Sequence, residues 1–548
     1  MVEEVGPTAE AIEPYVRNTA LMTAGTTLSR LTGYVRIAAQ TAALGVTVGA
    51  LGNVYVQANT TPNIVYELIL GGVLTSVFVP VFVDHRRAQG SEAAFDLGSR
   101  VLTLALVILT ALAVVGIGLA PQIMRLYLAA SDAADREAQI ELGVFLLRWF
   151  MPQVVFYGIG AIVGGLLNAE GRFGPPMFAP ILNNVVAIAA FGTYALLHAG
   201  SAPSVEGITW LEKTVLGAGT TLGVVAMTLA LWPSLRAVGF RWKLRGAWRH
   251  PGIRRVVNLS GWVVLYVSAN QAAYLAIIVL AGSIDGPARF QVYATAFVVF
   301  LLPHSIFAVS IFTALLPGMA ERWGTGDLGG VRERFSLGLR DTVVVIVPAA
   351  LGFIVLADPI TSLLLEHGAA GAADARLIAR TLQGFAVGLP FFSAFQLITR
   401  TFYAAQDSRT PALINVGAAV VTVGVDVVLV VIMGWDVPGL ALGHAASYVV
   451  ATGAGIMLLR GKLGSIDGAR VMRTIVRTLA ASVATALAAW LVATGVAAVV
   501  DTQPTTGRLV QVAVAVVAGA CTYLAAALMF GLQEVDEVVR AVRRRFRG

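Results

Sequence analysis

The chain has 548 residues, of which 57% are hydrophobic and 13% are charged, and its formal net charge is +7. A soluble protein carries about a quarter charged residues, so this composition excludes a soluble enzyme and indicates a membrane protein with many spans. Loops on the cytoplasmic side explain the basic excess better than nucleic-acid binding does. The single cysteine, Cys521, excludes disulfides within the chain.

Long apolar runs recur along the whole chain and predict an all-α fold with about fourteen transmembrane helices. Each span needs about 20 mostly apolar residues, and breaks rich in charge, glycine or proline separate the runs. The predicted spans are 18–45, 50–83, 95–120, 141–167, 174–198, 214–235, 256–281, 290–320, 338–365, 377–404, 411–433, 437–459, 473–499 and 507–531.

The lysines and arginines between the spans determine the predicted orientation. With the N-terminus in the cytoplasm, 24 of them fall in cytoplasmic loops and in the C-terminal tail, and 6 fall on the opposite side. Because cytoplasmic loops carry an excess of lysine and arginine, both termini are predicted to be cytoplasmic.

Two short motifs occur twice in the chain. Asn168–Asn183 is similar to Tyr403–Asn415, and Thr75–Pro80 is similar to Thr313–Pro317, both at an offset of about 235 residues, or six spans. An even number of spans predicts parallel repeats with a site between two lobes; chance similarity between apolar segments is the alternative. The predicted division is a cytoplasmic N-terminal segment (1–17), an N-lobe (18–235), a basic linker (236–255), a C-lobe (256–459), a cytoplasmic loop (460–472), two C-terminal spans (473–531) and a basic tail (532–548).

Two arginines, Arg30 and Arg36, lie in the first predicted span, where a helix should be apolar. Charged residues inside spans usually face a wet cavity or a partner. The guanidinium group binds phosphate with two parallel hydrogen bonds and stays charged, so the pair predicts an anionic substrate. The alternatives are extension of the side chains to the lipid headgroups and pairing with a distant acid such as Glu67.

The second predicted span carries a run of polar residues that could contact the same substrate. Asn53, Asn59 and Asn63 suit hydroxyl, amide or sugar groups, and Glu67 follows one turn later. Pro62 removes a backbone donor, and an interrupted helix can expose backbone groups where it lines a cavity. Hydrogen bonding between helices is the alternative reading of these amides.

Asp426 lies deep in the eleventh predicted span, one turn after Thr422. An acid in this position suggests a site for a coupling proton or sodium ion; a structural pair with Arg400 is the alternative. No hydrolase triad, phosphate-binding loop or metal-ligand pattern is present in the sequence, so we expect a transporter with no cofactor beyond that coupling ion.

Five stretches of the chain carry a family resemblance: Ser29–Arg36, Leu68–Pro80, Leu167–Asn184, Pro348–Glu366 and Gly388–Pro411. They resemble the MurJ (MviN) family of lipid II flippases, part of the multidrug/oligosaccharidyl-lipid/polysaccharide exporter superfamily. The chain is similar to the actinobacterial branch in TPNIVYELILGG.

The resemblance implies two six-helix lobes, two further C-terminal helices and a bacterial plasma-membrane location. It implies export of lipid II, an undecaprenyl-pyrophosphate-linked disaccharide-peptide, from the inner to the outer leaflet by alternating access. Arg30 and Arg36 would then face the pyrophosphate. Expected partners are lipid II, membrane lipids and cell-wall synthesis proteins, with a monomeric chain and no nucleic acid.

The chain departs from the common family pattern at Ile37, Tyr66, Glu67 and Val298, where the family has one acid and several basic residues. Two other functional classes remain open from the sequence. One is another exporter of the superfamily, either a polysaccharide-lipid flippase or a drug/cation antiporter. The other is a membrane scaffold for cell-wall enzymes that transports nothing.

Overall fold

The computed structural model describes residues 9–46, 49–71, 79–198, 202–246, 251–537 and 540, with side chains from residue 25 onward except those of 70–71, 79–80 and 251–260. Helices dominate, and no strand occurs in these residues. Twelve of the described helical segments are long and apolar enough to cross a membrane. The predicted all-α membrane architecture is confirmed.

The chain divides into two compact units, 1–129 with 133–271 and 130–132 with 272–548. The division at residue 271 falls inside the tenth helix, so the lobe boundaries inferred from the sequence remain predictions. The helices up to this point are α1 (Ala9–Leu44), α2 (Leu51–Tyr66), α3 (Val79–Gly118), α4 (Ala120–Tyr127), α5 (Arg136–Phe150), α6 (Gln153–Ala169), α7 (Gly174–Leu197), α8 (Trp210–Leu229), α9 (Trp232–Ala237) and α10 (Pro251–Gly282). Those that follow are α11 (Arg289–Pro303), α12 (Val309–Gly324), α13 (Leu328–Leu365), α14 (Ala372–Ala404), α15 (Arg409–Asp426), α16 (Pro438–Leu463), α17 (Gly468–Val499) and α18 (Thr505–Met529).

Thirteen of the fourteen predicted spans coincide with a helix or a pair of helices, and the second (50–83) does so in its described residues. Several of the spans are irregular. The fourth is divided between α5 and α6 at Pro152, which is the N-cap of α6. The second leaves α-helical geometry at a π-helical segment, Glu67–Gly71. Helix α3 is interrupted at Gly90, whose φ is 86°. The first copy of the shorter motif, Thr75–Pro80, lies mostly outside the described residues.

The first unit is built around buried polar and aromatic contacts between its helices. Asn184 of α7 donates to the carbonyl oxygen of Ser29 at 3.1 Å and to the Thr32 hydroxyl at 3.0 Å, which joins α7 to α1. Tyr55 of α2 is fully buried, and its hydroxyl lies 2.7 Å from that of Thr220 in α8. The Asn184 bonds thus hold α1, the helix that carries the two arginines, against α7.

The acids of the longer repeated motif both form ion pairs with cations distant in sequence. Glu170 lies 2.9 Å from Arg86, and Asp407 lies 2.5 Å from Lys462. Burial alone would raise the pKa of Asp407, but hydrogen bonds from Lys462 and Thr410 hold that pKa below its usual 3.8. The motif thus occurs where a loop between two spans is held by a charged contact.

The last two helices, α17 and α18, form a C-terminal hairpin that packs along α13. Two buried ion pairs join the hairpin region to α13: Arg340 with Glu534, and Arg508 with Glu366 at 2.7 Å. Between them, the apolar side chains of Leu356, Ala489, Ala493 and Ala515 form a core. The hairpin is therefore an integral part of the second unit.

We expect Glu534→Ala to lower the free energy of unfolding by about 3 kcal/mol, because it leaves the buried Arg340 uncompensated. Unfolding in detergent micelles measures this. The matched control is Asp536→Ala, because the Asp536 side chain is 50% exposed in its pair with Arg540 and such surface pairs contribute roughly 0–1 kcal/mol. Equal effects of the two substitutions would contradict the structural role of Glu534.

Candidate functional site

Arg36 is a half-buried arginine of α1, in the first unit. Its Nε is shielded from solvent and has no hydrogen-bond partner. Among the described residues, no ion pair involves Arg30 or Arg36. The guanidinium group lies close enough to the hydroxyls of Tyr55 and Tyr157 to interact with them electrostatically. A buried donor with no partner costs free energy, and the Nε–H of Arg36 is therefore able to donate to an added acceptor.

A cavity of about 380 Å³ lies within the first unit, next to Tyr157. Its polar lining comes from α2, the π-helical segment, and α6. The rings of Tyr66 and Tyr157 lie 5.8 Å apart at its wall. The polar lining residues are Asn63, Tyr66, Glu67, Tyr157 and Asn168. Tyr157 is thus both a lining residue of this cavity and a residue on which Arg36 acts electrostatically.

Of the polar residues predicted in the second span, Asn63 and Glu67 line this cavity and the others do not. Asn53 is buried and lies ten residues before Asn63, which is about 15 Å along a helix. Asn59 is half-buried, and its side-chain oxygen has no hydrogen-bond partner. The Asn63 amide group donates to the carbonyl oxygen of Asn59 at 3.0 Å.

Helix α2 is not broken at Pro62, which is buried inside it. The change in helical geometry comes five residues later, at Glu67, where the π-helical segment begins. A π-helical turn places one extra residue in the turn and often occurs at functional sites. Glu67 itself is thus the point at which α2 changes its winding at the cavity.

Arg30 lies nearly two turns before Arg36 and is also half-buried. The side chain that it influences electrostatically is Tyr34, one turn further along α1. Helix α1 is continuous from Ala9 to Leu44. Of the two arginines, Arg36 and not Arg30 acts electrostatically on Tyr157, which lines the cavity.

Asp426 is the last residue of α15 and is completely buried in the second unit. Neither carboxylate oxygen has a hydrogen-bond partner. Gly443 of α16 packs directly against it, and a Cβ at that position would collide with Oδ1. The Thr422 hydroxyl donates to Ala418 in its own helix at 3.1 Å, so it does not hold the carboxylate.

The suggested structural pair between Asp426 and Arg400 is absent from the described residues. The Arg400 guanidinium group lies over the ring of Phe312 instead, 5.3 Å from its centroid. Asp426 interacts electrostatically with the buried Tyr293. A buried carboxylate without a partner must be neutralised by a proton or a bound cation. No group of three or more metal-ligating side chains is found among the described residues.

A protein-family model for the lipid II flippase MurJ matches residues 41–515, which is most of the chain. The chain belongs to the MurJ family. Because the match begins at residue 41, it does not itself cover Arg30 and Arg36. The resemblance inferred from the sequence is confirmed.

Curated MurJ relatives match over most of their own length. The lipid II flippase MurJ of Burkholderia cenocepacia is 28% identical over 427 residues, covering 77% of this chain and 79% of the relative. A probable lipid II flippase MurJ of Haemophilus influenzae is 28% identical over 452 residues, covering 80% and 84%.

Solved structures show the same fold at lower sequence identity. A lipid II flippase MurJ in an inward closed conformation superposes with a TM-score of 0.72 at 18% identity, covering 93% of this chain and 98% of that one. An inward-facing multidrug resistance MATE transporter of the MOP superfamily gives 0.64 at 14% identity, covering 80% and 96%. The MurJ-family chain is thus a multi-pass membrane transporter and not an enzyme.

Sequence reasoning missed Tyr157 and Asn168 in this MurJ-family chain. Tyr157 lies in a span that is otherwise strongly apolar, and its hydroxyl group is the sequence signal that could have indicated a polar face on α6. Asn168 begins the longer repeated motif, and its side-chain oxygen is buried without a partner. Both residues lie on α6, and only the packing of α6 against α2 brings them to the cavity.

Proposed function

We propose that this protein is a lipid II flippase of the bacterial plasma membrane, with both termini in the cytoplasm. It transfers the undecaprenyl-pyrophosphate-linked disaccharide-peptide from the inner to the outer leaflet by alternating access. The observation that carries this proposal is Arg36, a half-buried cation with no acidic partner among the described residues, in a chain of the MurJ family. A cationic site of this kind favours an anionic cargo over the cations that drug/cation antiporters export.

The pyrophosphate is the part of the cargo that Arg36 recognises. Arginine presents a planar fork of donors that matches phosphate oxygens, and the Nε–H of Arg36 is free to donate. Arg30 engages the same group from nearer the cytoplasmic end of α1. The hydroxyl of Tyr157, on which Arg36 acts electrostatically, supplies a neutral donor.

The amide of Asn63 and the carboxylate of Glu67 line the neighbouring cavity and suit a sugar or peptide group. Glu67 accepts hydrogen bonds from hydroxyl or amide groups, and it repels a second anion. In this proposal the acid at position 67 orients the head of the cargo, so that the phosphates face Arg36 and the uncharged part faces the cavity.

Asp426 is the proposed coupling site for a proton or a sodium ion. Its isolation inside the second unit supports this, since an ionised carboxylate without a partner is strongly disfavoured there. Uptake and release of the cation would change the charge at the junction of α15 with the π-helical segment Val427–Ile432. A change of charge at such a junction can bias a conformational equilibrium.

Depletion of the protein in its host is expected to leave lipid II in the inner leaflet. A membrane-impermeant enzyme that cleaves lipid II measures the fraction exposed at the outer leaflet. We expect that fraction to fall severalfold on depletion and to return when the wild-type chain is expressed again. Unchanged cleavage after depletion, with lipid II synthesis intact, would reject the flippase function and leave the scaffold alternative. Oligomeric state and any contact with cell-wall synthesis proteins stay predictions.

A further inference from the structure

A second cavity, of about 710 Å³, lies in the first unit on the outside of α5 and α8. Two of its residues are cations, Arg148 of α5 and Lys213 of α8, and Glu141 lies at its other end. Arg148 and Trp149 are exposed. Neither cation forms an ion pair with a described acid. A helix face turned toward lipid is normally apolar, so these charges need an explanation.

The cavity residues of α5 form a single stripe along the helix. Glu141 and Arg148 are seven residues apart, which places them on one face about 10 Å from each other along the axis. Val144 and Phe145 lie between them, and the ammonium group of Lys213 stands 4.8 Å from the centre of the Phe145 ring. The cavity therefore runs from an acid, past an aromatic ring beside Lys213 of α8, to Arg148.

The depth of the two cations corresponds to the edge of the hydrocarbon layer. About 20 residues separate Arg148 from the end of α6 at Ala169, and a similar number separates Lys213 from the start of α9. Twenty helical residues span about 30 Å, which is the thickness of the hydrocarbon layer. In the proposed orientation, both cations lie at the outer headgroup boundary, with Glu141 further out. Lipid phosphates lie at this level.

The wall between α5 and α8 is fixed by close packing. The side chain of Trp149 lies against Gly217, where a Cβ would come 2.8 Å from the indole ring. The Thr221 hydroxyl donates to the carbonyl oxygen of Trp149 at 2.7 Å and accepts from Gln153 at 3.0 Å. The groove therefore exists before a ligand enters, which lowers the cost of binding.

We propose that this groove binds an anionic phospholipid of the outer leaflet whose headgroup carries hydroxyls, such as phosphatidylglycerol. The phosphate lies between Arg148 and Lys213, the headgroup hydroxyls donate to Glu141, and an acyl chain follows Trp149 and Pro152 toward the membrane interior. Along the groove, the acid, the cations and the apolar wall follow one another in the same order as the hydroxyls, the phosphate and the acyl chain of such a lipid. This proposal rests on the membrane orientation given under the proposed function, and it does not depend on lipid II being the cargo.

Native mass spectrometry of the full-length, delipidated protein in detergent tests this site. Phosphatidylglycerol, phosphatidylethanolamine and a polyprenyl phosphate are offered separately at equal concentration. We expect phosphatidylglycerol to bind best, and Arg148→Gln and Lys213→Gln each to reduce the bound fraction about fivefold. Arg148→Lys keeps the charge and should retain most of the binding.

Arg125→Gln is the matched control, because Arg125 is an exposed arginine of α4 in the same unit and does not line the groove. It should bind phosphatidylglycerol like the wild type. Arg36→Ala should also keep the lipid, which separates this site from the proposed cargo site. Equal binding of phosphatidylethanolamine to Arg36→Ala, preference of Arg36→Ala for polyprenyl phosphate, or unchanged phosphatidylglycerol binding in both glutamine variants would overturn the proposal. The comparison of lipids on Arg36→Ala, which lacks the proposed cargo contact, decides it even if a groove variant fails to fold.

Discussion

Arg36→Ala is expected to reduce lipid II transfer by about 10- to 100-fold, the loss that follows from one or two hydrogen bonds between charged groups. Arg36→Lys should fall between alanine and wild type, because lysine keeps the charge but lacks the planar fork. Transfer in proteoliposomes gives the rate, and complementation of a depleted strain gives the effect on growth.

The same substitution is expected to leave the fold intact. In the described residues, Arg36 has a buried Nε–H without a partner and no ion pair, so removing the side chain should not lower the melting temperature. Arg125→Ala serves as the control, since it deletes an exposed arginine of the same unit. If Arg36→Ala transfers lipid II at the wild-type rate, the arginine does not contact the cargo and the proposed recognition is wrong.

Asp426→Asn is expected to remove the dependence of transport on an ion gradient. Asparagine has almost the same shape, and the carboxylate forms no hydrogen bond that would be lost, so the protein should fold normally. Transport driven by a gradient should fall at least about tenfold, toward the rate seen without one. Proteoliposomes with imposed pH or sodium gradients provide the measurement.

Thr422→Val helps to identify the ion. The Thr422 hydroxyl donates to its own helix, and its oxygen keeps lone pairs that a sodium ion could use, whereas a proton on Asp426 needs no second ligand. A sodium-coupled protein should lose sodium dependence in this variant, and a proton-coupled protein should behave like the wild type. A gradient response in Asp426→Asn equal to that of the wild type would show that coupling lies elsewhere.

The spans could be predicted from the sequence because each one needs about 20 apolar residues, and the chain marks its breaks with charge, glycine and proline. The irregular winding could not be predicted in the same way. Pro62 suggested a break that α2 does not have, whereas the π-helical segment at Glu67 carries no proline. The sequence therefore carries no marker of the π-helical turn comparable to the proline.

The candidate site was predictable where a single residue was out of place in an apolar span. Arg36 and Asp426 are of this kind, because burial of an isolated charge is costly wherever the helix lies. Asn53 and Asn59 show the limit of that reasoning. They belong to the same polar run as Asn63, yet helical rotation and depth decide which amide reaches the cavity, and Tyr157 arrives there from another helix.

The contacts of the C-terminal hairpin have a consequence for the order of biosynthesis. Arg340 and Glu534 are separated by 194 residues, and Glu366 and Arg508 by 142. At about 5–20 residues per second, α13 leaves the ribosome roughly ten to forty seconds before its later partner has been made. During this interval, Arg340 and Glu366 lack the partners of the finished protein, so the nascent chain should be most vulnerable to membrane proteases just before the hairpin inserts.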